Sequence, residues 1–372
     1  MRLDIAYRLH FQYAEPVTES QNEIRVRPRH DLRQQLLSYR LTTTPATRVL
    51  ANRDYFGTTV DHLGVRAPHE ELLVVAEASV ETTAIEATPE PVSCERLGDQ
   101  QFLNEHVEYL APSQHVQWGD LINEVASWAI RSAADDVREQ VLGIVQAVPT
   151  TLTYERGATS IGVTLEELID GGRGVCQDFA HLAVGMLRCV GIPARYVSGY
   201  LFALDETRPP ETRPNAAEDG SDSAAGAGSG DGSGSSDGFD AGQRFAGEDM
   251  FVVQHADPSP AAVSVQTHAW IEAAVPGLGW YALDPTNAGA VGERHVVIGH
   301  GRDYNDVPPV RGVFNGVAEA EVEAEVIMAQ PTAPPSMVTE PIRRQARVAV
   351  GSPAELAQPS AHQGDQQQQQ QQ

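Results

Sequence analysis

Residues 171–181 read GGRGVCQDFAH, a glycine-rich turn that leads directly into an apolar segment. The apolar positions that follow repeat at helical spacing, and GIP at residues 191–193 ends the predicted helix. Cys176 therefore falls in the first helical turn, where unpaired backbone N–H groups and the helix dipole favour the reactive thiolate. The alternative interpretation is a small buried residue, as free cysteines often are. This segment makes Cys176 a candidate nucleophile.

Two later segments supply the partners that a nucleophilic cysteine needs. THAWIE at residues 267–272 predicts a strand with His268, and WYALDPT at residues 280–286 predicts a second strand with Asp284. PGLG at residues 276–279 makes them a hairpin, which brings Asp284 near the level of His268. Taken singly, His268 would be interpreted as a structural histidine and Asp284 as the residue that ends a strand. Together with a cysteine they form the nucleophile, base and carboxylate of a triad.

The chain ahead of residue 83 has the pattern of a small antiparallel β domain, residues 1–82. Strand-like runs separated by Pro, Gly and Asp lie at residues 2–9, 22–28, 36–43, 58–66 and 71–82. Residues 83–117, which contain several prolines, are predicted to be a connector.

Helical periodicity begins near residue 118. Helices are predicted over residues 121–129 and 137–145, from the Thr-x-x-Glu capping box that begins at Thr164, and from Cys176. Predicted strands follow at residues 194–203, 250–255, 267–275, 280–284 and 320–326. Helices followed by an antiparallel sheet make this second domain, residues 118–330, α+β rather than α/β.

Two segments have the composition of disordered chain. Residues 205–249, inside the second domain, are dominated by Gly, Ser, Asp and Ala. Residues 331–372 are rich in Pro, Ala and Gln and end in seven glutamines at 366–372. Neither segment has enough large apolar side chains to build a core.

Several motifs resemble those of the bacterial transglutaminase-like proteins of the papain-like cysteine superfamily. They are GVCQDFAH at 174–181, GIPARYVSGY at 191–200, HAW at 268–270 and LDPT at 283–286. The first 82 residues, with EIRVRPR at 23–29 and RDYFG at 53–57, resemble the β domain that precedes the core in this group. The resemblance implies a papain-like transglutaminase core, preceded by that domain, with a catalytic triad of Cys176, His268 and Asp284.

Other residues are weaker candidates for the site. GRDYNDVPP at residues 301–309 matches a family pattern, but such loops usually satisfy their own backbone. Tyr154 is expected in core packing, with the cleft or the oxyanion site as alternatives, and Asp178 is expected to interact with the helix dipole. Cys176 and His181 are badly spaced for a metal on a helix. No acidic calcium loop is recognisable, so we expect no metal and no cofactor.

Composition limits the partners and the compartment. The 372 residues carry 51 acidic and 26 basic side chains, none of them lysine, for a net charge of −25. Such a surface repels nucleic acid and anionic membranes, and no apolar run approaches the roughly 20 residues of a membrane span. The N-terminus lacks a secretion signal, so a cytoplasmic protein is expected. The three cysteines, Cys94, Cys176 and Cys189, have no C-x-x-C spacing, so we expect neither a disulfide framework nor a structural zinc site.

The sequence thus predicts a cysteine enzyme that acts on amide bonds of a peptide or protein. The acyl-enzyme passes to water in a peptidase, isopeptidase or amidase, and to an amine in a transglutaminase. Hydrolysis is the prediction, because no amine pocket is recognisable. The alternative from another class is a papain-like scaffold that binds peptide without turning it over. No pattern sets the number of subunits.

Overall fold

A computed structural model describes residues 1–83, 90–159, 162–202, 263–265, 267–316 and 320–331. All of these residues belong to one compact unit, residues 1–332. The insertion predicted at 205–249 and the strand predicted at 250–255 lie outside the described residues. So does the tail predicted at 331–372, apart from residue 331.

Fifteen strands and five α-helices make up the described part of the chain. The strands are β1 (Arg2–Ile24), β2 (Gln34–Thr44), β3 (Val49–Arg53), β4 (Thr59–Val65), β5 (His69–Thr82), β6 (Thr153–Tyr154), β7 (Arg173–Gly174), β8 (Ala194–Leu201), β9 (Val263–Val265), β10 (Thr267–Val275), β11 (Gly279–Asp284), β12 (Gly289–Ala290), β13 (His295–Gly301), β14 (Val310–Asn315) and β15 (Ala320–Ala329). The helices are α1 (Gln100–His106), α2 (Asp120–Ile130), α3 (Val137–Thr151), α4 (Leu165–Gly171) and α5 (Cys176–Cys189).

An eight-stranded antiparallel sheet, here called the N-terminal sheet, is organised around β1. The first half of β1 pairs with β5 and β15, and its second half pairs with β4 and β14. The change of partners coincides with a register shift after Gln12, a positive φ at Glu19 and the proline Pro16, which cannot donate to a ladder. The strands predicted at 2–9 and 22–28 are therefore the two ends of one bent strand.

The last described strand returns to the beginning of the chain. β15 pairs with β1 from Asp4 opposite Ala329 to Tyr13 opposite Ala320. The strand predicted at 320–326 does form, but it joins the N-terminal sheet and not the sheet of the second domain. Its alternating pattern indicates a strand with one buried face, and such a pattern does not specify the partner.

A five-stranded antiparallel sheet, here called the core sheet, has the order β12-β11-β10-β8-β13. α5 packs on β10 and β8, and α2, α3 and α4 surround α5. Residues 178–188 of α5 are all buried. The capping box at Thr164 forms and begins α4. No helix in the described ranges is long and apolar enough to cross a membrane.

The predicted fold class is confirmed: helices and an antiparallel sheet follow an N-terminal antiparallel β region. The sequence did not predict α1, which lies within the expected connector. It also did not predict seven of the described strands: β3, β6, β7, β9, β12, β13 and β14. These elements are short, and the positions of the strands depend on their partners.

Candidate active site

The first residue of α5 is Cys176, and the turn before it is fixed by Asp178. The Asp178 carboxylate accepts hydrogen bonds from the backbone N–H of Val175 at 2.9 Å and from the Thr159 hydroxyl at 2.5 Å. A Cβ atom on Gly174 would lie 2.9 Å from the same carboxylate oxygen, so a glycine is needed there. The turn thereby holds the Cys176 side chain at the positive end of the helix dipole, where Asp178 is also stabilised.

His268 and Asp284 meet at one end of the hairpin between β10 and β11. The Nε2 atom of His268 lies 2.8 Å from Oδ2 of Asp284, and the thiol of Cys176 contacts the carbonyl oxygen of Thr267 at 3.9 Å. The other carboxylate oxygen of Asp284 accepts from the backbone N–H groups of Thr286 and Asn287, at 2.9 and 3.2 Å. The structure therefore brings the three predicted triad residues together.

The electrostatics of the site favour a charged histidine beside a charged carboxylate. Burial lowers the pKa of His268, but hydrogen bonds to Asp284 and to Cys176 outweigh burial and raise the pKa to about 9. Burial raises the pKa of Asp284, but the hydrogen bonds from His268 and His295 hold it well below the usual range. His268 therefore carries a proton at neutral pH, and Asp284 is ionised.

A cleft of about 460 Å³ opens beside Cys176 and His268. One of its walls is the N-terminal sheet, which contributes Tyr7 and Leu9 from β1 and a row of small aliphatic side chains from β15: Val322, Ala324 and Val326. These side chains face the same side because Tyr7 is opposite Val326 and Leu9 is opposite Ala324 in the ladder. Strands β1 and β15, which are far apart in sequence, thus both shape the space in front of the cysteine.

Two family models match this chain. Residues 3–81 match the bacterial transglutaminase-like N-terminal region, and residues 125–285 match the transglutaminase-like superfamily. The second match contains Cys176, His268 and Asp284. The chain therefore contains a transglutaminase-like core at residues 125–285, preceded by a bacterial transglutaminase-like N-terminal region at residues 3–81.

Relatives and a solved structure extend these matches over most of the transglutaminase-like chain. An uncharacterized protein of Mycobacterium leprae is 29% identical over 326 residues, 87% of this chain and 97% of that protein. An uncharacterized protein of Mycobacterium tuberculosis is 28% identical over 340 residues, 86% of this chain and 90% of that one. A crystal structure described as a "putative cysteine protease" from Cytophaga hutchinsonii has a TM-score of 0.62 at 20% identity, over 90% of this chain and 93% of that one. The two share the fold.

His295 is a residue of the site that the sequence analysis missed. Its Nε2 atom lies 3.2 Å from Oδ2 of Asp284, the oxygen that also faces His268. In the described parts of this chain, His268, Asp284 and His295 form the group that could hold a metal ion. Their ligand atoms all lie within 4.8 Å of one another. Those same atoms already form the histidine–carboxylate hydrogen bonds. The signal in the sequence was HVVIGH at 295–300, a strand-like run with a histidine at its start.

Some of the weaker candidate residues line the cleft, and others form hydrogen bonds that hold the surrounding loop. Tyr154 is 44% exposed and lines the cleft, so the expectation of core packing was wrong. Tyr304 also lines the cleft, while the neighbouring Asp303 and Asp306 accept from nearby backbone N–H groups, as predicted for this loop. His181 accepts from the backbone N–H of Tyr304 at 3.1 Å, and burial lowers its pKa to about 3. This neutral histidine holds the loop that carries Tyr304.

A second cavity, of about 290 Å³, lies on the face of the core sheet that does not contact α5. Trp270, Glu272 and His295 line it, together with Arg195, which forms an ion pair with Glu272 and lies 3.8 Å above the ring of Trp280. Trp270 is fully buried and fits only because residue 199 has no side chain. A Cβ atom on Gly199 would overlap the Trp270 ring and the carbonyl oxygen of Val296.

Gly199→Ala is expected to lower the free energy of unfolding by about 1–3 kcal/mol, because the Trp270 ring must move away from the added methyl group. Urea denaturation followed by tryptophan fluorescence measures the change. Gly98→Ala is the matched control, since a Cβ atom at that exposed position meets no atom within 4 Å. Equal losses in the two variants would contradict the proposed fit of Trp270.

Proposed function

We propose that this transglutaminase-like chain hydrolyses an amide bond of a peptide or protein, with Cys176 as nucleophile, His268 as acid and base, and Asp284 as the carboxylate that orients the histidine. The observation that carries the proposal is the 2.8 Å contact from His268 to Asp284, on a ring whose other side interacts with Cys176. A protonated histidine beside a thiol at a helix N-terminus favours the thiolate form of the cysteine.

The proposed reaction begins with attack of the Cys176 thiolate on the amide carbonyl carbon, whose π electrons move to oxygen. Backbone N–H groups at the start of α5, including that of Cys176, hold the oxyanion. As the oxyanion collapses, the C–N bond breaks and His268 gives its proton to the leaving amine. Water then attacks the thioester while neutral His268 accepts one of its protons. The C–S bond breaks, which releases a carboxylic acid and restores the thiolate and the imidazolium.

The charges around the cleft favour water over a lysine amine as the second nucleophile. A lysine reaches the site as a cation and would be attracted by a carboxylate at the entrance. No carboxylate occurs among the described residues that line the cleft, whose one charged side chain besides His268 is Arg156. Arg156 repels an ammonium group and leaves water unaffected.

The walls of the cleft favour an apolar side chain on the substrate. Tyr154 and Tyr304 offer ring surface, and the β15 side chains offer aliphatic surface. Burial of an apolar group against such walls is favourable by about 25 cal/mol per Å², whereas a charged group would lose its hydration without a partner of opposite charge. We therefore propose an amide substrate with an apolar residue next to the bond that is cleaved.

Incubation of wild type and Cys176→Ala with a synthetic peptide library and a fluorescent primary amine tests the proposal. We expect cleaved or deamidated peptides only with wild type, detected by mass spectrometry, and no label on the glutamines at 366–372. Because the chain has no lysine, it offers no side-chain amine that could compete with the added one. Labelling of those glutamines that depends on Cys176 would indicate a transglutaminase instead. Absence of any product, with peptide still bound, would indicate a binding scaffold.

A further inference from the structure

Oδ2 of Asp284 is shared by three donors. His268 approaches it at 2.8 Å, the side-chain amide of Asn287 at 2.6 Å and His295 at 3.2 Å. His268 and Asn287 lie on or beside the hairpin that carries Asp284, whereas His295 comes from β13, the edge strand on the opposite side of the core sheet. A side chain from a distant strand therefore contacts the oxygen that orients the catalytic base.

The direction of the hydrogen bond from His295 follows from its second partner. The backbone N–H of Gly292 donates to Nδ1 of His295 at 3.2 Å, so Nδ1 holds a lone pair. The ring proton of a neutral His295 is then on Nε2 and points at Asp284. Both ring nitrogens are satisfied without a charge on His295.

The position of His295 is fixed by packing as well as by hydrogen bonds. Its side chain is 9% exposed. Its ring lies nearly perpendicular to that of Trp270, with centroids 5.3 Å apart and an interplanar angle of 78°. Trp270 is fully buried against Gly199, so the His295 ring has a rigid neighbour. The donor is held in place before any substrate arrives.

We propose that His295 is a positioning residue, which donates from Nε2 to Oδ2 of Asp284 and so keeps the carboxylate turned toward His268. The inference rests on the proposed function, because it concerns the carboxylate of the same triad. Without this donor, Asp284 keeps its backbone hydrogen bonds but loses one of the contacts that fix the rotation of Oδ2. The His268 ring is then held less firmly toward Cys176, and Cys176 reacts more slowly with an electrophile.

The test is the rate at which iodoacetamide alkylates Cys176 from pH 5 to pH 10, measured by mass spectrometry of the peptide that contains it. Two variants are compared with wild type, each checked for folding by thermal denaturation. His295→Leu removes the donor, whereas the amide nitrogen of His295→Gln reaches the place of Nε2 and can donate to Asp284. Cys189, for which burial raises the pKa to about 11, is the internal reference in every sample.

We expect His295→Leu to slow alkylation of Cys176 at neutral pH about tenfold, as loss of a hydrogen bond to a charged group predicts. His295→Gln should retain most of the wild-type rate. An alkylation rate in His295→Leu within about twofold of wild type would overturn the inference. It would also be overturned if folded His295→Leu and folded His295→Gln lost the same fraction of the wild-type rate. A wild-type rate that changes when a chelator is added would also overturn it, because a metal ion would then hold these atoms.

The same experiment separates this inference from the function on which it rests. If Cys176 in wild type reacts no faster than Cys189, the proposed nucleophile and the role of His295 both fail. If Cys176 reacts fast in wild type and equally fast in His295→Leu, the nucleophile stands and only the role of His295 fails. If His295→Leu does not fold, His295→Gln provides the test. An alkylation rate of Cys176 about tenfold below wild type in a folded His295→Gln variant would contradict the inference.

Discussion

Cys176→Ala is expected to reduce the turnover of any amide substrate by about a thousandfold or more, because the covalent route through the thioester is lost. Only binding and the oxyanion site remain, and these give weak catalysis by themselves. The measurement is kcat/KM on a peptide identified with the wild-type enzyme. Thermal denaturation of the variant should be close to that of wild type, because alanine is a good helix former at this position.

Cys189→Ala is the matched control for this variant. Both cysteines lie on α5, thirteen positions apart, or about 20 Å along a helix. The Cys189 thiol contacts the carbonyl oxygen of Met186 at 3.1 Å and does not line the cleft. We expect nearly unchanged turnover in Cys189→Ala. Comparable activity in Cys176→Ala and wild type would exclude Cys176 as the nucleophile.

Asp284→Asn is expected to leave a folded protein whose turnover falls by about 10³–10⁴-fold, as in other triads that lose the carboxylate. The amide oxygen can still accept from the backbone of Thr286 and Asn287. The amide nitrogen then takes the place of Oδ2 and faces the donors on His268 and His295. These donors lose their acceptor, so His268 changes its tautomer or its orientation. Turnover within about twofold of wild type would show that another group orients the histidine.

The pH dependence of stability gives this variant a second readout. The pKa of His268 is raised from 6.5 to about 9 in the folded protein, so its contribution to stability is complete below pH 6.5 and is lost as the pH rises through 9. Wild type should therefore become less stable to urea between pH 6.5 and 9. Asp284→Asn should show a smaller decline over that range, because Asp284 is a main cause of the raised pKa. If the stability of both proteins declined equally over this pH range, the decline would come from titrating groups other than His268.

The proximity of Cys176, His268 and Asp284 could be predicted because the signals for each segment are local. A glycine-rich turn before a buried helix identifies Cys176, and a hairpin with a short turn sets His268 and Asp284 at the same end. The helix over 165–171 was predictable for the same reason, since its capping box lies within four residues of sequence.

The contacts that were missed depend on pairing between distant strands. Asp284 and His295 lie on β11 and β13, which β10 and β8 separate in the core sheet, and no local pattern predicts that their side chains meet. The partner of β15 is more than 300 positions away in sequence. Trp128 of α2 is 53% exposed, while Ile122 and Ala126 of the same helix are buried. Periodicity gives the spacing of an apolar stripe, and tertiary packing decides its exact edge.

The ladder between β1 and β15 has a consequence for synthesis of the protein on the ribosome. The chain emerges from its N-terminus, so β1, Cys176 and His268 are all made before residues 320–329 leave the exit tunnel. Until β15 pairs with β1, the aliphatic wall opposite the cysteine is missing. A nascent chain therefore carries the proposed nucleophile before its cleft is complete, and the wall formed by β15 is added only after residues 320–329 have left the exit tunnel.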